Sequence, residues 1–347
     1  MSAPTLAAPR HLLVRLPNPL GDAVMAVPAL RALRRALPEA RITWSGGPAA
    51  QSALAGLPYR DGVMPTGERD GKGRRAPMKA GRTLRGIEAD AALLLPNSFS
   101  SALAVRRARI PVRVGSDLHA RKGLLTDVVS LPKVESGKLA PRSMIDHYLD
   151  LAAAFGAQAD DKRLELAVEP YDAERAAWRL RDAPDDVPLL GINPGAAFGA
   201  TKVYPPERIA VAIEQVRAKR EVFPVVLCGP GEEGLAAKVC AALSGPHLGV
   251  MDDVPDLGEL KALLARLALL ATTDTGPRHM AEALGVPTVV WMGPTDPRWS
   301  GHSEATVVRK EDLDCLACHR KECPIGLPCM RELAPKAVAE AILARLP

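Results

Sequence analysis

The sequence predicts an α/β protein made of two Rossmann-like domains in tandem. Three observations point there: short apolar runs that stop at Pro-, Gly- and Asn-rich loops, helix-forming Ala/Leu/Arg stretches after those loops, and a return of the same alternation in the second half of the 347 residues. That length exceeds one ordinary core and suits two domains. Hydrophobic residues at 47% and charged residues at 24% are globular values, which excludes a disordered chain.

His11 to Leu16 reads as a strand, the breaker-rich Pro17-Asn18-Pro19-Leu20-Gly21 as a loop, and Ala23 to Leu37 as a helix. Arg41 to Trp44 and Ala91 to Leu95 are further strands, the latter ending in Pro96-Asn97-Ser98 before a helical stretch. Between Pro65 and Arg85 the pattern fails; the segment is polar, Gly-containing and basic, and is expected to be a mobile loop. Val128 to Arg142 is irregular and precedes a helix from Met144 to Phe155. A first domain over 1–165 and a second over 180–347 are expected, with the junction between Gly156 and Val187.

The alternation resumes with strands Pro188 to Ile192, Pro224 to Cys228, Leu267 to Thr272 and Pro287 to Trp291. Helices are expected at Glu207 to Lys219, Glu232 to Leu243, from Arg278, and at Pro335 to Leu346. No GxGxxG fingerprint follows the first strand, so two such domains suit a cleft enzyme better than a dehydrogenase.

Charge divides unevenly. Residues 1–150 hold 23 Lys/Arg against 12 Asp/Glu, a balance of +11, and the remainder hold 22 against 28, a balance of −6. The first half is therefore read either as meeting something anionic, such as nucleic acid, a membrane face or a phosphorylated substrate, or as a solvated basic face with no partner. Aromatic residues at 3% leave few platforms for stacking bases, which argues against nucleic acid. MSAPTLAAPR lacks the apolar core of a signal peptide, and no later apolar run spans a bilayer, so the expected location is the cytoplasm.

The loops at strand ends carry the chemistry. Asp22 follows a Gly and opens a helix, where a carboxylate caps backbone N–H groups; the same environment would keep it ionised, as a general base requires. Asn193-Pro194-Gly195-Ala196-Ala197 leads to Lys202, small residues that let N–H groups approach a phosphate and one cation to add to it. In Gly229-Pro230-Gly231-Glu232-Glu233 a carboxylate can bind ribose hydroxyls or simply start a helix. Asp274-Thr275-Gly276-Pro277-Arg278-His279 joins a Gly backbone, a hydroxyl and a helix start into an anion cradle suited to a diphosphate. Arg106, Arg107, Arg109 and Arg113, after the Asn97-Ser98 loop, can meet phosphates of a ligand or stand in solvent.

The stretches RLPNPLGDAVMAVPALRALRR, LLLPNSFSSALAVRRARIPVRVG, DHYLDLAAAFG, GINPGAAFGATKVYPPER and DTGPRHMAEALGVPTVVWMGPTDP resemble successive signatures of glycosyltransferase family 9. CLACHRKECPIGLPCM resembles the tail of its heptosyltransferase II branch, and the likeness runs in order from about residue 11 to the C-terminus. The resemblance implies a GT-B fold, two Rossmann-like domains facing a cleft, with the acceptor on the first and the nucleotide-sugar on the second. It implies ADP-heptose as donor and a phosphorylated Kdo–lipid A core as acceptor, hence visits to the inner face of the cytoplasmic membrane.

Carried onto these residues, the resemblance makes Asp22 the base, Lys202, Thr275 and Gly276 donor-phosphate contacts, and Asp274, Glu233 and Gly195 further donor-site positions. Asn97, Ser98, Arg106, Arg107 and Arg113 are the expected acceptor-side residues. The expected reaction is an inverting single displacement that needs no metal ion. Two features depart from the family pattern: the aromatic near the loop lysine stands here as Val203-Tyr204, and the basic insert at 69–85 maps onto no motif. Competing readings are a family 9 transferase for another nucleotide-sugar or acceptor, and a non-catalytic nucleotide-sugar-binding protein, against which Asp22 argues.

Cys315-x2-Cys318-x4-Cys323-x5-Cys329 places four thiols within 15 residues. Its first pair has a zinc-ligand spacing and the other intervals do not belong to a standard finger. A structural zinc ion, an iron–sulfur cluster, two disulfides and reduced thiols packing a loop are the competing outcomes.

Overall fold

A computed structural model describes residues 6–65, 76–158, 161–196, 199–300 and 303–347. The chain divides into two compact units, one of residues 1–164 with 299–302, the other of residues 165–298 with 303–347.

In the first unit β1 (His11–Arg15) leads through a Pro-rich turn to α1 (Leu20–Met25) and α2 (Val27–Ala36), then β2 (Arg41–Gly46), α3 (Pro48–Ala53) and β3 (Gly62–Pro65). The second run is α4 (Ala76–Arg85), β4 (Ala91–Leu94), α5 (Phe99–Arg107), β5 (Val112–Ser116), β6 (Asp127–Val129) and α6 (Met144–Ala152). All six strands are parallel in the order β3-β2-β1-β4-β5-β6. Leu12, Leu13 and Val14 have no exposed surface because helices cover both faces, which is why the strand reads as an unbroken apolar run rather than an alternating one. A single turn of 3-10 helix extends α6 to Phe155, and Gly156 stops it in the left-handed region at φ 75°.

In the second unit α7 (Pro170–Arg179) precedes β7 (Leu189–Asn193), α8 (Pro206–Arg217), β8 (Phe223–Val226), α9 (Glu233–Ala242) and β9 (Leu248–Gly249). There follow α10 (Leu257–Ala265), β10 (Leu269–Thr273), α11 (Gly276–Ala283), β11 (Thr288–Trp291), β12 (Thr306–Val308), α12 (Pro328–Arg331) and α13 (Pro335–Arg345). Its parallel strand order, β12-β11-β10-β7-β8-β9, repeats that of the first unit. Both sheets thus have the dinucleotide-fold order, with the direction of winding reversing between β1 and β4 and between β7 and β10.

The two-sheet α/β class is as the sequence predicts, but the segment from Pro65 to Arg85 is not simply a loop. Residues 66–75, with Arg74 and Arg75, lie outside the described residues, as does Ala197; Ala76–Arg85 is helix α4. It packs so closely on α5 that a Cβ on Gly81 would come within 2.6 Å of the Arg107 Cβ and 2.9 Å of the Ala104 carbonyl oxygen. The glycine taken as a loop signal is there for helix-to-helix contact.

Candidate active site

In open parallel sheets ligands sit beyond the carboxyl edge where the winding reverses. In the first unit that edge carries the loop between β1 and α1. Asp22 is the third residue of α1 and does not cap it: Pro19 is the N-cap, and no side chain bonds there. No hydrogen bond or ion pair engages the Asp22 carboxylate among the described residues, and burial raises its pKa from 3.8 to about 6. The expected capping role is therefore corrected. Asp22 is held up by lost hydration rather than held down by N–H donors, yet at neutral pH it is mostly ionised with its lone pairs free. Tyr148 of α6, fully buried, lies close enough for the Asp22 charge to help raise the phenol pKa after burial, the larger cause.

Asn97 and Ser98 lie on the same carboxyl edge. Ser98 caps α5, accepting from Ser101 N at 3.2 Å, and Asn97 Oδ1 accepts from Ser116 Oγ at 2.7 Å. Beneath them lies Arg121, without exposed surface; it donates from Nε to the Ser116 carbonyl at 3.0 Å, from NH2 to Ser116 Oγ at 2.8 Å, and from NH1 to the Pro96 carbonyl at 2.5 Å. Arg121 thus binds the loops after β4 and β5 together, a role no sequence signal announces.

The other expected acceptor-side arginines fall elsewhere. A helix following a parallel strand runs back toward the amino edge, so the last turn of α5, with Arg106 and Arg107, and the start of β5, with Arg113, lie about 13 Å from Ser98 by the rise of a nine-residue helix. Arg113 donates to the carbonyls of Ile110, Pro111 and Leu124 at 2.7–2.9 Å, and Arg106 to that of Gly123 at 2.8 Å. These guanidinium groups brace the opposite edge and do not meet Asn97 and Ser98.

In the second unit the expected donor loops converge at the β7/β10 reversal. Asn193 donates to Thr272 Oγ1 at 3.0 Å and Thr275 Oγ1 at 3.2 Å, and Thr273 Oγ1 donates to the Gly195 carbonyl. Lys202 Nζ donates to Asp274 Oδ2 and to the Asp274 carbonyl, each at 2.8 Å, while Arg278 NH1 donates to Asp274 Oδ1 at 2.8 Å. Burial alone would raise the Asp274 pKa; Lys202 and Arg278 outweigh it and hold the carboxyl far below its usual range. Asp274 is thus a clamp that fixes Lys202 beside the start of α11, where Thr275 is N-cap and Gly276 the first helical residue.

Glu233 accepts from Gly231 N at 3.0 Å at the exposed start of α9, a bond that lowers its pKa. The carboxylate beside the Asn193–Ala196 loop is that of Glu232: it accepts from Gly229 N at 3.0 Å, and a Cβ on Gly195 would stand 2.0 Å from its Oε2. The sequence motif contains both glutamates, and only the fold separates them. Tyr204, near Lys202, is a core residue whose hydroxyl donates to the Leu333 carbonyl at 2.9 Å and whose ring packs on Trp291. Thr201 Oγ1 donates to the Arg320 carbonyl at 2.9 Å, so the Cys-rich segment buttresses the turn that carries Lys202.

The six cysteines are free thiols. No three His, Cys, Asp or Glu side chains among the described residues are grouped as a metal ion needs, so the structural ion expected at Cys315, Cys318, Cys323 and Cys329 has no preformed ligand set. Burial above all, and then the neighbouring thiols of Cys315, Cys318 and Cys323, push Cys329 up to about 11; Cys329 is buried, whereas Cys315 and Cys318 are exposed. Among the described residues no helix is long and apolar enough to cross a membrane.

Two parallel sheets of the same dinucleotide-fold order, one carrying an unpaired acid at its carboxyl edge and the other a cationic cradle, define a two-domain α/β transferase of the glycosyltransferase class. The model described as "Glycosyltransferase family 9 (heptosyltransferase)" matches residues 78–327. Lipopolysaccharide heptosyltransferase 2 of Escherichia coli K12 is 30% identical over 307 residues, covering 82% of this chain and 83% of its own. The solved E. coli ADP-heptose LPS heptosyltransferase II shares the fold at a TM-score of 0.77 and 24% identity, over 97% of this chain and 98% of that one. A family 9 glycosyl transferase from Veillonella parvula does so at 0.81 and 21% identity, over 97% of each. The chain belongs to glycosyltransferase family 9, the heptosyltransferases.

Proposed function

We propose that this enzyme moves heptose from ADP-heptose to the Kdo–lipid A inner core of lipopolysaccharide by a single inverting displacement. The first unit takes the acceptor and the second the nucleotide-sugar. Asp22 removes the acceptor hydroxyl proton as that oxygen bonds to the anomeric carbon; the bond from that carbon to the diphosphate oxygen breaks, and ADP leaves with the electron pair. Lys202 and the first N–H groups of α11 at Thr275-Gly276 face the charge that develops on the diphosphate, and this charge stabilisation replaces a metal ion in the reaction. Asp274 fixes Lys202, Gly195 lets the backbone approach the phosphates, and Glu232, with Glu233 beside it, takes the ribose hydroxyls. An acceptor of this kind is embedded in a membrane, so the basic first half works against that surface without spanning it.

The observation that carries the proposal is the unpaired Asp22 carboxylate with its pKa near 6, a base poised for use at neutral pH. Turnover with ADP-heptose, compared with ADP-glucose and UDP-sugars on the same acceptor, tests the donor; preference for another nucleotide-sugar would reject it. Asp22→Asn should lower kcat by a factor on the order of 10³ while ADP binding stays as it is. Turnover within a few-fold of the parent would remove Asp22 from the chemistry.

A further inference from the structure

Arg15 ends β1 at the carboxyl edge of the first sheet, beside the reversal between β1 and β4. Its backbone carbonyl is engaged by Leu95 N at 3.2 Å, but among the described residues its guanidinium takes part in no hydrogen bond and no ion pair, and NH1 is buried without a partner. Burial lowers its pKa to about 10, and no acid among the described residues counters that shift; the group is still cationic at neutral pH. On the adjoining strand the residue in register is Ser45, whose hydroxyl is also buried without a partner.

Two more deeply buried arginines of this unit are held by protein atoms. Arg31 donates to the carbonyls of Asp161 and Arg163 and pairs with Asp161, and Arg121 is bound by the loop atoms already named. Leaving a cation out of water with nothing opposite is costly and is tolerated where a ligand supplies the missing charge. The side chain is only partly buried, so a solute can reach it, and only the turn Leu16–Pro19 and the first two residues of α1 separate Arg15 from Asp22 in the chain.

Resting on the acceptor reading above, we propose that Arg15 binds an oxyanion of the acceptor, a sugar carboxylate or a phosphate, and so orients the hydroxyl that Asp22 deprotonates. Arg15 is a specificity-determining residue on this view. Its fork geometry suits two oxygens of one such group.

The test uses full-length Arg15→Met and Arg15→Lys. With no ligand present, Arg15→Met should match or exceed the parent Tm, because an uncompensated charge is gone; a structural arginine would instead lower Tm. Acceptor KM should rise by about tenfold or more in Arg15→Met and kcat should fall with it, since the hydroxyl is no longer oriented, while donor KM stays within about two-fold; Arg15→Lys should recover part of the loss. Two modified acceptors identify the source: one dephosphorylated, one with its sugar carboxylates esterified. The one that lacks the bound group should erase the difference between parent and Arg15→Met. Should neither erase it, or should donor KM rise in place of acceptor KM, the proposal is overturned. Inorganic phosphate and free Kdo should each be tried as thermal-shift ligands, since stabilisation of the parent but not of Arg15→Met is readable even if the donor assignment is wrong. No stabilisation of the parent by either, with acceptor KM unchanged in Arg15→Met, rejects the site while leaving the transferase reading untouched.

Discussion

At Asp22 the burial that strengthens the base also destabilises the folded state. Its folded pKa of about 6 exceeds the unfolded value near 3.8, so the folded protein binds this proton more tightly. The associated stability is fully present below the unfolded value and is lost as pH rises through about 6. Ionised Asp22 therefore costs up to roughly 3 kcal/mol at neutral pH. Asp22→Asn should accordingly be more heat-stable than the parent at pH 7.5, with the gap closing below about pH 4, while activity is nearly lost. Thermal melts at the two pH values check this; a lower Tm at pH 7.5 would show that Asp22 is a structural group. In the parent, kcat/KM should fall on the acid side with an apparent pKa near 6, because only the carboxylate accepts the proton. A profile flat from pH 5 to 8 would contradict a base with that environment.

Loops and helices add constraints that no single residue shows. The β10–α11 turn is organised by Asp274 between Lys202 and Arg278, and Arg278 is almost wholly buried. Asp274→Asn should raise donor KM and lower kcat together by about tenfold each, since Lys202 loses the contact that aims it. Isothermal titration with ADP and steady-state rates measure both, and unchanged values for both would mean that Lys202 is fixed by something else. Because the Asp274 pKa is depressed, its contribution to stability is present above the unfolded carboxylate range and is lost only as pH falls far below it.

A second ionic cluster joins α7 to α10. Buried Glu259 accepts from Arg175 NH2 at 2.7 Å and Arg179 Nε at 2.6 Å, and Asp256 caps α10 while accepting from Arg175 NH1 at 2.7 Å. Glu259→Gln leaves two guanidinium groups facing a neutral amide and should cost about 3 kcal/mol. The urea midpoint should fall with no change in ADP affinity, and an unmoved midpoint would show the cluster to be a surface ornament of solvated charges.

For the whole molecule, the first 150 residues carry the positive balance and the remainder the negative one. Exposed charges act over about 10 Å at 0.1 M salt and are screened beyond it. Acceptor KM should therefore climb between about 0.05 and about 0.5 M salt more steeply than donor KM, because the donor-side cation, Lys202, is largely buried and fixed by Asp274. Equal slopes for both substrates would deny the first half its acceptor role.

The sequence by itself determined the class of fold and the loops of the second unit, because both are written locally. Apolar runs such as Leu12–Leu13–Val14 declare a strand covered on two faces, and Asn193, Gly195 and Asp274–Gly276 stand at or just beyond the end of a strand, with Lys202 later in the same loop, where parallel sheets place their ligands. Tertiary structure decided the rest. Gly81 marks close helix contact and not a loop, since the reason for the missing Cβ lies on α5. Arg113 and Arg121 are eight positions apart in a basic stretch, yet one braces the amino edge and the other the carboxyl edge, because a strand end and a loop separate them. Asp22 stands out in the sequence as a candidate, but not as an uncapped, dehydrated acid, and Arg15 does not stand out at all. Desolvation and the lack of a partner depend on everything folded around a group, which no local pattern of residues records.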